Sequence, residues 1–256
     1  MKTGIEVLDK YLSELQTKNN KVIGVYGQGS YFTKQKDEFS DIDVIVVWQS
    51  SYPSYRQRII VAKEIGYKTH DFKDLPYVQK GLDAFEVNEI YNLGHIKSSD
   101  FFKFDKDIAN LGDYYEEQLM RLEGFLSGKI LYDPKGKLDK YRNKIKITPR
   151  VKKVLRSQIG EWLEEDLKLL KKATVRAGSA YYLRILTEII TYLSILTELE
   201  KGKFPGSIKW YETRKNGELV DLLNDLEKKL EKRTTSQKIL TISRQLGFKP
   251  STKIEA

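Results

Sequence analysis

The sequence predicts an α+β protein, in which a small sheet with flanking helices is followed by an all-helical half. Two short apolar segments of strand-like composition lie in the first half, at 22–26 and 42–48. From about Asp107 onward, apolar residues recur at helical spacing instead. Strands and helices that are segregated along the chain in this way are typical of the α+β class. We therefore expect two domains, residues 1–106 and residues 107–256.

Composition excludes several classes of protein. The chain has 256 residues, of which 40% are hydrophobic, so it can fill a core and general disorder is excluded. It has no cysteine and only two histidines, which argues against disulfide scaffolds, thiol nucleophiles and metal cages built from Cys or several His. Its 45 Lys and Arg against 36 Asp and Glu give a net charge of +9, which favours phosphorylated or polyanionic partners.

Nothing in the sequence resembles an export signal or a membrane span. The most apolar stretch, 181–199, carries Arg184 and Glu188, which is typical of a buried helix in a soluble protein. With no cysteine and no export signal, we expect a cytoplasmic protein that has no membrane partner.

The first half alternates helices and strands. Apolar residues at helical spacing predict an amphipathic helix over 5–16, and an apolar strand over 22–26 then ends at the glycines of Gly27-Gln28-Gly29-Ser30. The second strand, 42–48, is apolar on both faces, so we expect it inside a sheet that helices cover. Pro53 opens a further helix that Gly66 ends.

The remaining elements follow from the same patterns. Two strands are expected at 84–87 and 90–96, joined near Asn88-Glu89. Gly and Pro then separate five predicted helices, at 107–127, 149–173, 179–200, 217–232 and 234–246.

The residues that suggest chemistry are Gly29-Ser30 and, ten residues later, Asp41-Ile42-Asp43. Strand side chains alternate, so the two carboxylates project to the same side of the sheet. Carboxylates this close together suit a hard divalent cation such as Mg²⁺, which takes its remaining ligands from water and phosphates. A Gly-Ser turn beside them lets the backbone approach a phosphate and donate hydrogen bonds to it. Together these features indicate phosphoryl or nucleotidyl transfer.

Residues 23–30 and 40–44 resemble the signature of the DNA polymerase β-like nucleotidyltransferase superfamily. The resemblance implies a mixed sheet, a nucleoside triphosphate held by Gly29 and Ser30, and Mg²⁺ held by Asp41 and Asp43. It also implies a third carboxylate on a neighbouring strand. The layout, a compact first half and a helical second half, looks most like the aminoglycoside (kanamycin) nucleotidyltransferase branch.

The third carboxylate has more than one candidate. Glu86 is the first choice, because it lies inside a predicted strand between two apolar residues, and Asp83 is the second. If the strand beside the Asp pair is 90–96 instead, no carboxylate occupies the position, which then falls on Tyr91, Asn92 or Leu93. The site would then be reduced to two carboxylates.

Transfer to a hydroxyl needs a base near the acceptor, commonly a carboxylate. Asp166 falls on the apolar stripe of the predicted helix 149–173, and the comparable helix of the aminoglycoside branch carries a catalytic glutamate, so Asp166 is the candidate, with adjacent Glu165 as the alternative. Glu188 also lies in an apolar helix, but an ion pair with Arg184 one turn away is the preferred interpretation.

Two basic features are less specific. The resemblance implies that a lysine after a proline reaches the triphosphate, which makes Lys209 a candidate phosphate contact, with a surface lysine as the alternative. Segment 140–153 is rich in Lys and Arg, and we interpret it as a linker and helix start in preference to a nucleic-acid contact.

The sequence thus predicts a Mg²⁺-dependent nucleotidyltransferase. It would move a nucleoside monophosphate from a nucleoside triphosphate, with ATP as the first choice, to the hydroxyl of a small aminoglycoside-like acceptor and release pyrophosphate. The alternatives are an acceptor on RNA or protein, or a catalytically degenerate nucleotide sensor or regulatory partner. The resemblance also leaves a homodimer open, because members of that branch build their sites across two subunits.

Overall fold

The structure is a computed structural model, and it describes residues 1–17, 20–32, 36, 40–70, 81–103, 115–176, 179–204, 232–245 and 247–248. The chain divides into two compact units, the first formed by Met1–Asn110 and Arg121–Lys146, the second by Leu111–Met120 and Ile147–Ala256.

Six strands and eight α-helices lie within the described residues. The strands are β1 (Val22–Gln28), β2 (Ile42–Trp48), β3 (Lys68–His70), β4 (Leu82–Glu86), β5 (Ile90–Lys97) and β6 (Lys129–Tyr132). The helices are α1 (Glu6–Leu15), α2 (Tyr55–Glu64), α3 (Ser98–Phe101), α4 (Tyr115–Ser127), α5 (Lys137–Lys144), α6 (Pro149–Arg176), α7 (Ser179–Glu200) and α8 (Lys232–Gln245). The predicted α+β class is confirmed. The sequence patterns did not predict the short strands β3 and β6. All but the last residue of the expected helix 217–232 lies outside the described residues.

The sheet is mixed, with the strand order β3-β4-β5-β2-β1-β6. Strands β2 and β5 are parallel, and the other neighbouring pairs are antiparallel. In the parallel pair Asp43 lies opposite Asn92, and in the antiparallel pair β1–β2 Asp43 lies opposite Gln28. Residues directly opposite one another share a face of the sheet, so these three side chains lie on the same face.

The opposite face of the sheet carries the core of the first unit. Helices α1 and α2 supply apolar side chains to it, and alternate residues of the strands supply the rest. The fully buried members include Leu8, Tyr11, Leu12, Val44, Val46, Trp48, Phe85 and Leu93. Helix α2 begins at Tyr55, two residues after Pro53. Ser54 is its N-cap, and the Ser54 side chain accepts a hydrogen bond from the backbone N–H of Gln57 in a capping box.

A network of polar side chains is buried within this core. The Arg58 Nε donates to both carboxylate oxygens of Asp83, at 2.8 and 3.0 Å, and the Tyr11 hydroxyl donates to Asp83 Oδ2 at 2.8 Å. His95 Nε2 lies 2.7 Å from the same oxygen, and the Trp48 Nε1–H donates to His95 Nδ1 at 3.0 Å. The Asp83 carboxylate therefore connects α1 and α2 to β4 and β5, and through the His95 imidazole it is also connected to β2.

The indole of Trp48 fixes the state of the imidazole. Indole nitrogen is a donor only, so His95 Nδ1 must accept, and Nε2 then carries the hydrogen that points to Asp83. His95 Nε2 therefore donates to Asp83, and Arg58 brings a positive charge to the same carboxylate. Burial alone would raise the pKa of Asp83, but the contacts with His95 and Arg58 more than offset it and lower that pKa. The carboxyl stays ionised, as the buried guanidinium requires.

The second unit is helical, as expected. Its core is formed by apolar side chains on facing sides of α6, α7 and α8, among them Leu155, Ile159, Leu163, Leu170, Ile189, Leu193, Leu196 and Ile239. Helix α6 runs three residues beyond the predicted end, to Arg176. In the part of the chain that the structure describes, no helix has both the length and the apolar character needed to cross a bilayer.

We expect Asp83→Asn to lower the free energy of unfolding by about 3 kcal/mol or more, because it leaves the guanidinium of Arg58 buried without a counter-charge. Urea denaturation measures the effect. Glu86→Gln is the matched control: this carboxylate lies in the same strand but pairs with Lys68 at the surface, so the unfolding midpoint should not move. Equal midpoints for the two variants would contradict the importance of the buried pair.

Candidate functional site

The two carboxylates of the Asp-x-Asp motif lie at the start of β2. Asp43 is within the strand, Asp41 directly precedes it, and both are half-buried. They project to the face of the sheet opposite the core, because Ile42 between them is fully buried. The antiparallel pairing of Gln28 with Asp43 brings the end of β1, and the Gly29 turn that follows it, beside the carboxylates.

Asn92 joins the two carboxylates. Its Nδ2 donates to Asp41 Oδ2 at 2.6 Å and to Asp43 Oδ1 at 3.1 Å. The parallel pairing of β5 with β2 places this residue directly opposite Asp43, on the same face. The amide nitrogen points to the carboxylates because ionised carboxylates only accept hydrogen bonds. Three side chains from two strands thus converge at one corner of the sheet.

Glycine is required at position 29 for two reasons. Its φ is +75°, in the left-handed region that side chains with a Cβ disfavour. A Cβ there would also lie 2.6 Å from Asp43 Oδ2, so the carboxylate occupies the space that the missing side chain leaves. Ser30 follows, almost fully buried, and begins the short 3₁₀-helix Ser30–Phe32. The predicted Gly-Ser turn therefore lies against the Asp pair.

Neither expected third carboxylate joins this corner. The carboxylate of Glu86 lies 2.7 Å from Lys68 Nζ and 3.5 Å from His70 Nε2, on the β3 side of β4, and the hydrogen bond from Lys68 lowers its pKa. Asp83 is buried on the opposite face of the sheet, in the network with Arg58. The reason is strand order: β5, not β4, lies beside β2, and its residue opposite Asp43 is Asn92.

The donor set at this corner fits one hard divalent cation. Among the described residues, no three His, Cys, Asp or Glu side chains are placed to hold a metal ion together. Asp41 and Asp43 nevertheless offer carboxylate oxygens, and Asn92 offers its Oδ1 once the amide turns over. Oxygen donors of this kind, completed by water and phosphate, suit Mg²⁺.

Asp166 lies in a different environment, in the second unit. It is only 8% exposed, and burial raises the pKa of Asp166 to about 7, with a further contribution from the nearby negative charge of Glu188 on α7. Among the described side chains, none donates a hydrogen bond to its Oδ2, and a hydrogen bond shared with the Glu188 carboxyl also raises the pKa of Asp166. Glu188 makes the ion pair that the sequence predicts, since Arg184 Nε donates to its Oε1 at 3.2 Å. Glu165, the alternative base, is exposed.

The partner of Asp166 could not be read from the sequence. Helical spacing gives neighbours within α6 only, whereas Glu188 comes from α7. The two carboxyls lie one helical turn from Trp162 and Tyr192, whose rings are 6.2 Å apart, centroid to centroid. The contact between these two rings joins α6 to α7, and only the structure shows it.

The basic residues have mostly structural contacts where they are described. In segment 140–153, the guanidinium of Arg142 lies over the ring of Phe125, 5.0 Å from its centroid, and Lys152 Nζ is 2.8 Å from Glu200 Oε2. These contacts support the interpretation of a linker and helix start. Lys209 lies outside the described residues, so its contact with a triphosphate stays a prediction.

Comparison with known proteins gives structural similarities only. No protein-family model matches the chain, and no curated protein matches its sequence. The chain is similar to the structure of a nucleotidyltransferase-like protein from Exiguobacterium sibiricum 255-15, with 13% identity, a TM-score of 0.44, and coverage of 93% of this chain and 70% of that one. It is also similar to spectinomycin adenyltransferase AAD(9) from Enterococcus faecialis, solved with ATP and spectinomycin, with 14% identity, a TM-score of 0.41, and coverage of 94% and 98%.

Gly29→Ala should destabilise the protein more than Gly136→Ala. Both glycines have positive φ, but nothing lies within 4 Å of a Cβ built at Gly136, whereas a Cβ at Gly29 meets Asp43. The backbone penalty of about 1 kcal/mol is common to both variants, and we expect a further 1–2 kcal/mol, roughly, for Gly29→Ala. Thermal unfolding of the two variants measures the difference. Equal losses would show that Asp43 does not need the space at Gly29.

Proposed function

We propose that this protein is a Mg²⁺-dependent nucleotidyltransferase. The observation that carries the proposal is the convergence of Asp41, Asp43 and Asn92 beside the Gly29-Ser30 turn. A nucleoside triphosphate, with ATP as the first choice, is bound there, and its nucleoside monophosphate is transferred to an acceptor hydroxyl. Pyrophosphate is the second product.

Each residue of the corner has a separate task. The turn at Gly29 and Ser30 offers backbone N–H groups and a hydroxyl to phosphate oxygens, and glycine lets the backbone approach them closely. Asp41 and Asp43 hold the cation, which supplies positive charge to the phosphates of the nucleotide. Their carboxylates are positioned before any ligand arrives, because Asn92 bonds to both. Positioning of this kind supplies much of the rate in phosphoryl-type transfer.

Transfer also requires a proton acceptor. The acceptor oxygen forms a bond to the α-phosphorus, the bond from that phosphorus to the bridging oxygen of the leaving pyrophosphate breaks, and the hydroxyl proton passes to a base. We assign the base to Asp166, because a carboxyl with a pKa of about 7 is well matched to proton transfer at neutral pH. A small, hydroxylated, aminoglycoside-like acceptor is the class that the motif resemblance favours.

A second function is favoured by one observation, the amide of Asn92 at the position expected for a third carboxylate. A site with two carboxylates binds a nucleotide and its cation less strongly than one with three, and it can retain binding without transfer. The protein would then be a nucleotide sensor or a regulatory partner with the same fold.

Binding of nucleotide separates these proposals from other functions. Calorimetry should show binding of a nucleoside triphosphate that requires Mg²⁺, and the double variant Asp41→Asn/Asp43→Asn should lose it at least tenfold, since both anionic ligands are gone. Glu86→Gln is the control and should bind as the wild type does. Full binding by the double variant would contradict the assignment of the site. Binding without transfer to any hydroxyl acceptor would favour the sensor.

Asp166→Asn should lower kcat for transfer by about a hundredfold and leave nucleotide affinity unchanged, because an amide cannot accept the proton. In the wild type, kcat should rise with pH and level off above about 7, as Asp166 becomes ionised. Glu165→Gln, at the adjacent exposed position, is the control and should keep the wild-type profile. A transfer rate that is unaffected by Asp166→Asn would exclude this base.

Stability tests the same pKa independently of activity. The folded state holds a proton on Asp166 up to about pH 7, whereas in the unfolded chain the carboxyl has its ordinary pKa near 3.8. The stabilisation is therefore complete below pH 4 and is lost as pH rises to 7, by roughly 4 kcal/mol in the free energy of unfolding. Asp166→Asn should remove this loss, and an unchanged pH dependence in the variant would contradict the raised pKa.

A further inference from the structure

We infer that Asn92 makes cation binding at this corner depend on the phosphates of a nucleotide. Its amide contacts both Asp41 and Asp43, and it stands where a third carboxylate would otherwise lie. The inference rests on the proposed function and concerns the control of the same site: without nucleotide the two carboxylates bind a divalent cation weakly, and nucleotide and cation bind together.

The amide nitrogen of Asn92 takes the place between the carboxylates that a cation would take. It lies 2.6 Å from Asp41 Oδ2 and 3.1 Å from Asp43 Oδ1, so each of its two hydrogens has an anionic acceptor. Hydrogen bonds to ionised acceptors are stronger than neutral ones. The repulsion between the carboxylates is thus reduced without any metal ion.

A cation held between the two carboxylate oxygens that Asn92 contacts, Asp41 Oδ2 and Asp43 Oδ1, has to displace this amide. An amide NH₂ group has no free lone pair for a metal, so Asn92 can become a ligand only by turning its Oδ1 to the ion. The turn breaks both hydrogen bonds to the carboxylates. Entry of a cation alone therefore exchanges two charge-assisted hydrogen bonds for one neutral oxygen ligand, which opposes binding.

Charge acts in the same direction. Within the described part of the chain the corner has two anionic ligands, Asp41 and Asp43, and affinity for hard divalent cations rises with the number of charged ligands. The row of residues across the sheet at this level is Gln28, Asp43, Asn92 and Ala84, so the strands next to Asp43 and Asn92 add no carboxylate. A nucleoside triphosphate brings its own anionic oxygens and supplies the missing charge.

The two ligands are therefore coupled thermodynamically. If the nucleotide raises the affinity for the cation, the cation must raise the affinity for the nucleotide by the same factor. Aspartate at position 92 would break this dependence, because the third carboxylate would hold the cation without the nucleotide. Asn92 is thus a specificity-determining residue, and it makes the site respond to the nucleotide complex in preference to the free ion.

The experiment measures Mn²⁺ affinity by electron paramagnetic resonance of the free ion, with and without a non-hydrolysable ATP analogue. In wild-type protein, Mn²⁺ should bind at least tenfold more tightly with the analogue than without it. Mn²⁺ bound by the analogue alone is measured separately and subtracted. In Asn92→Asp, binding of Mn²⁺ without nucleotide should be at least tenfold tighter than in the wild type. Asn143→Asp is the matched control: it adds the same charge at an exposed position of α5, and its affinity should equal that of the wild type.

The outcomes separate this inference from the proposed function. If Asn92→Asp binds free Mn²⁺ no more tightly than the wild type, while both bind the analogue with Mn²⁺, the role of Asn92 is overturned and the proposed function stands. If neither protein binds the analogue with Mn²⁺, the role of Asn92 and the proposed function are both overturned. Tight binding of Mn²⁺ alone by the wild type would also overturn the inference, and this test does not depend on whether the variant folds.

Discussion

The ion pair between Arg58 and Asp83, buried beneath the sheet, is the interaction on which the first unit depends. A slip of β4 by one residue would move Asp83 to the other face and leave a guanidinium in the core without a counter-charge. His95 extends this constraint to β5, and the indole of Trp48 extends it to β2. The register of three neighbouring strands is therefore fixed by polar contacts that burial makes costly to break.

The candidate site is built on the opposite face of two of these strands, β2 and β5. Because β2 and β5 are parallel and in this register, the residue opposite Asp43 is Asn92. The Gly29 turn completes the corner from β1, since only a residue without Cβ leaves room for the carboxylate of Asp43. The face that holds Arg58 and Asp83 sets the register, and the corner occupies one end of the opposite face, where Tyr26 farther along β1 is buried against Phe101 and Phe125. Stability and chemistry thus share strands but not side chains.

Local patterns predicted the part of the site that depends on local geometry. Asp41 and Asp43 share a face because strands alternate, and the Gly-Ser turn follows a short apolar strand. The third position depends on which distant strand lies beside β2, and local sequence patterns do not show which strands pair. Glu86 was chosen because it is a carboxylate within a strand, but its strand is not the neighbour of β2. The neighbour of Asp166 was missed for the same reason, since Glu188 lies on another helix. The buried network could have been suspected from Tyr11, Arg58 and Asp83, which are polar residues in elements whose other inward-facing residues are mostly apolar.

The side-chain amide of Asn92 is also one base substitution away from a carboxylate. Either codon for asparagine becomes a codon for aspartate by one base substitution, and the change alters neither the length nor the shape of the side chain. The sheet, its register and the turn at Gly29 would accommodate both residues at the same backbone position. In the role inferred for Asn92, a site that binds the free ion and a site that binds the ion only together with a nucleotide would therefore differ by a single base substitution.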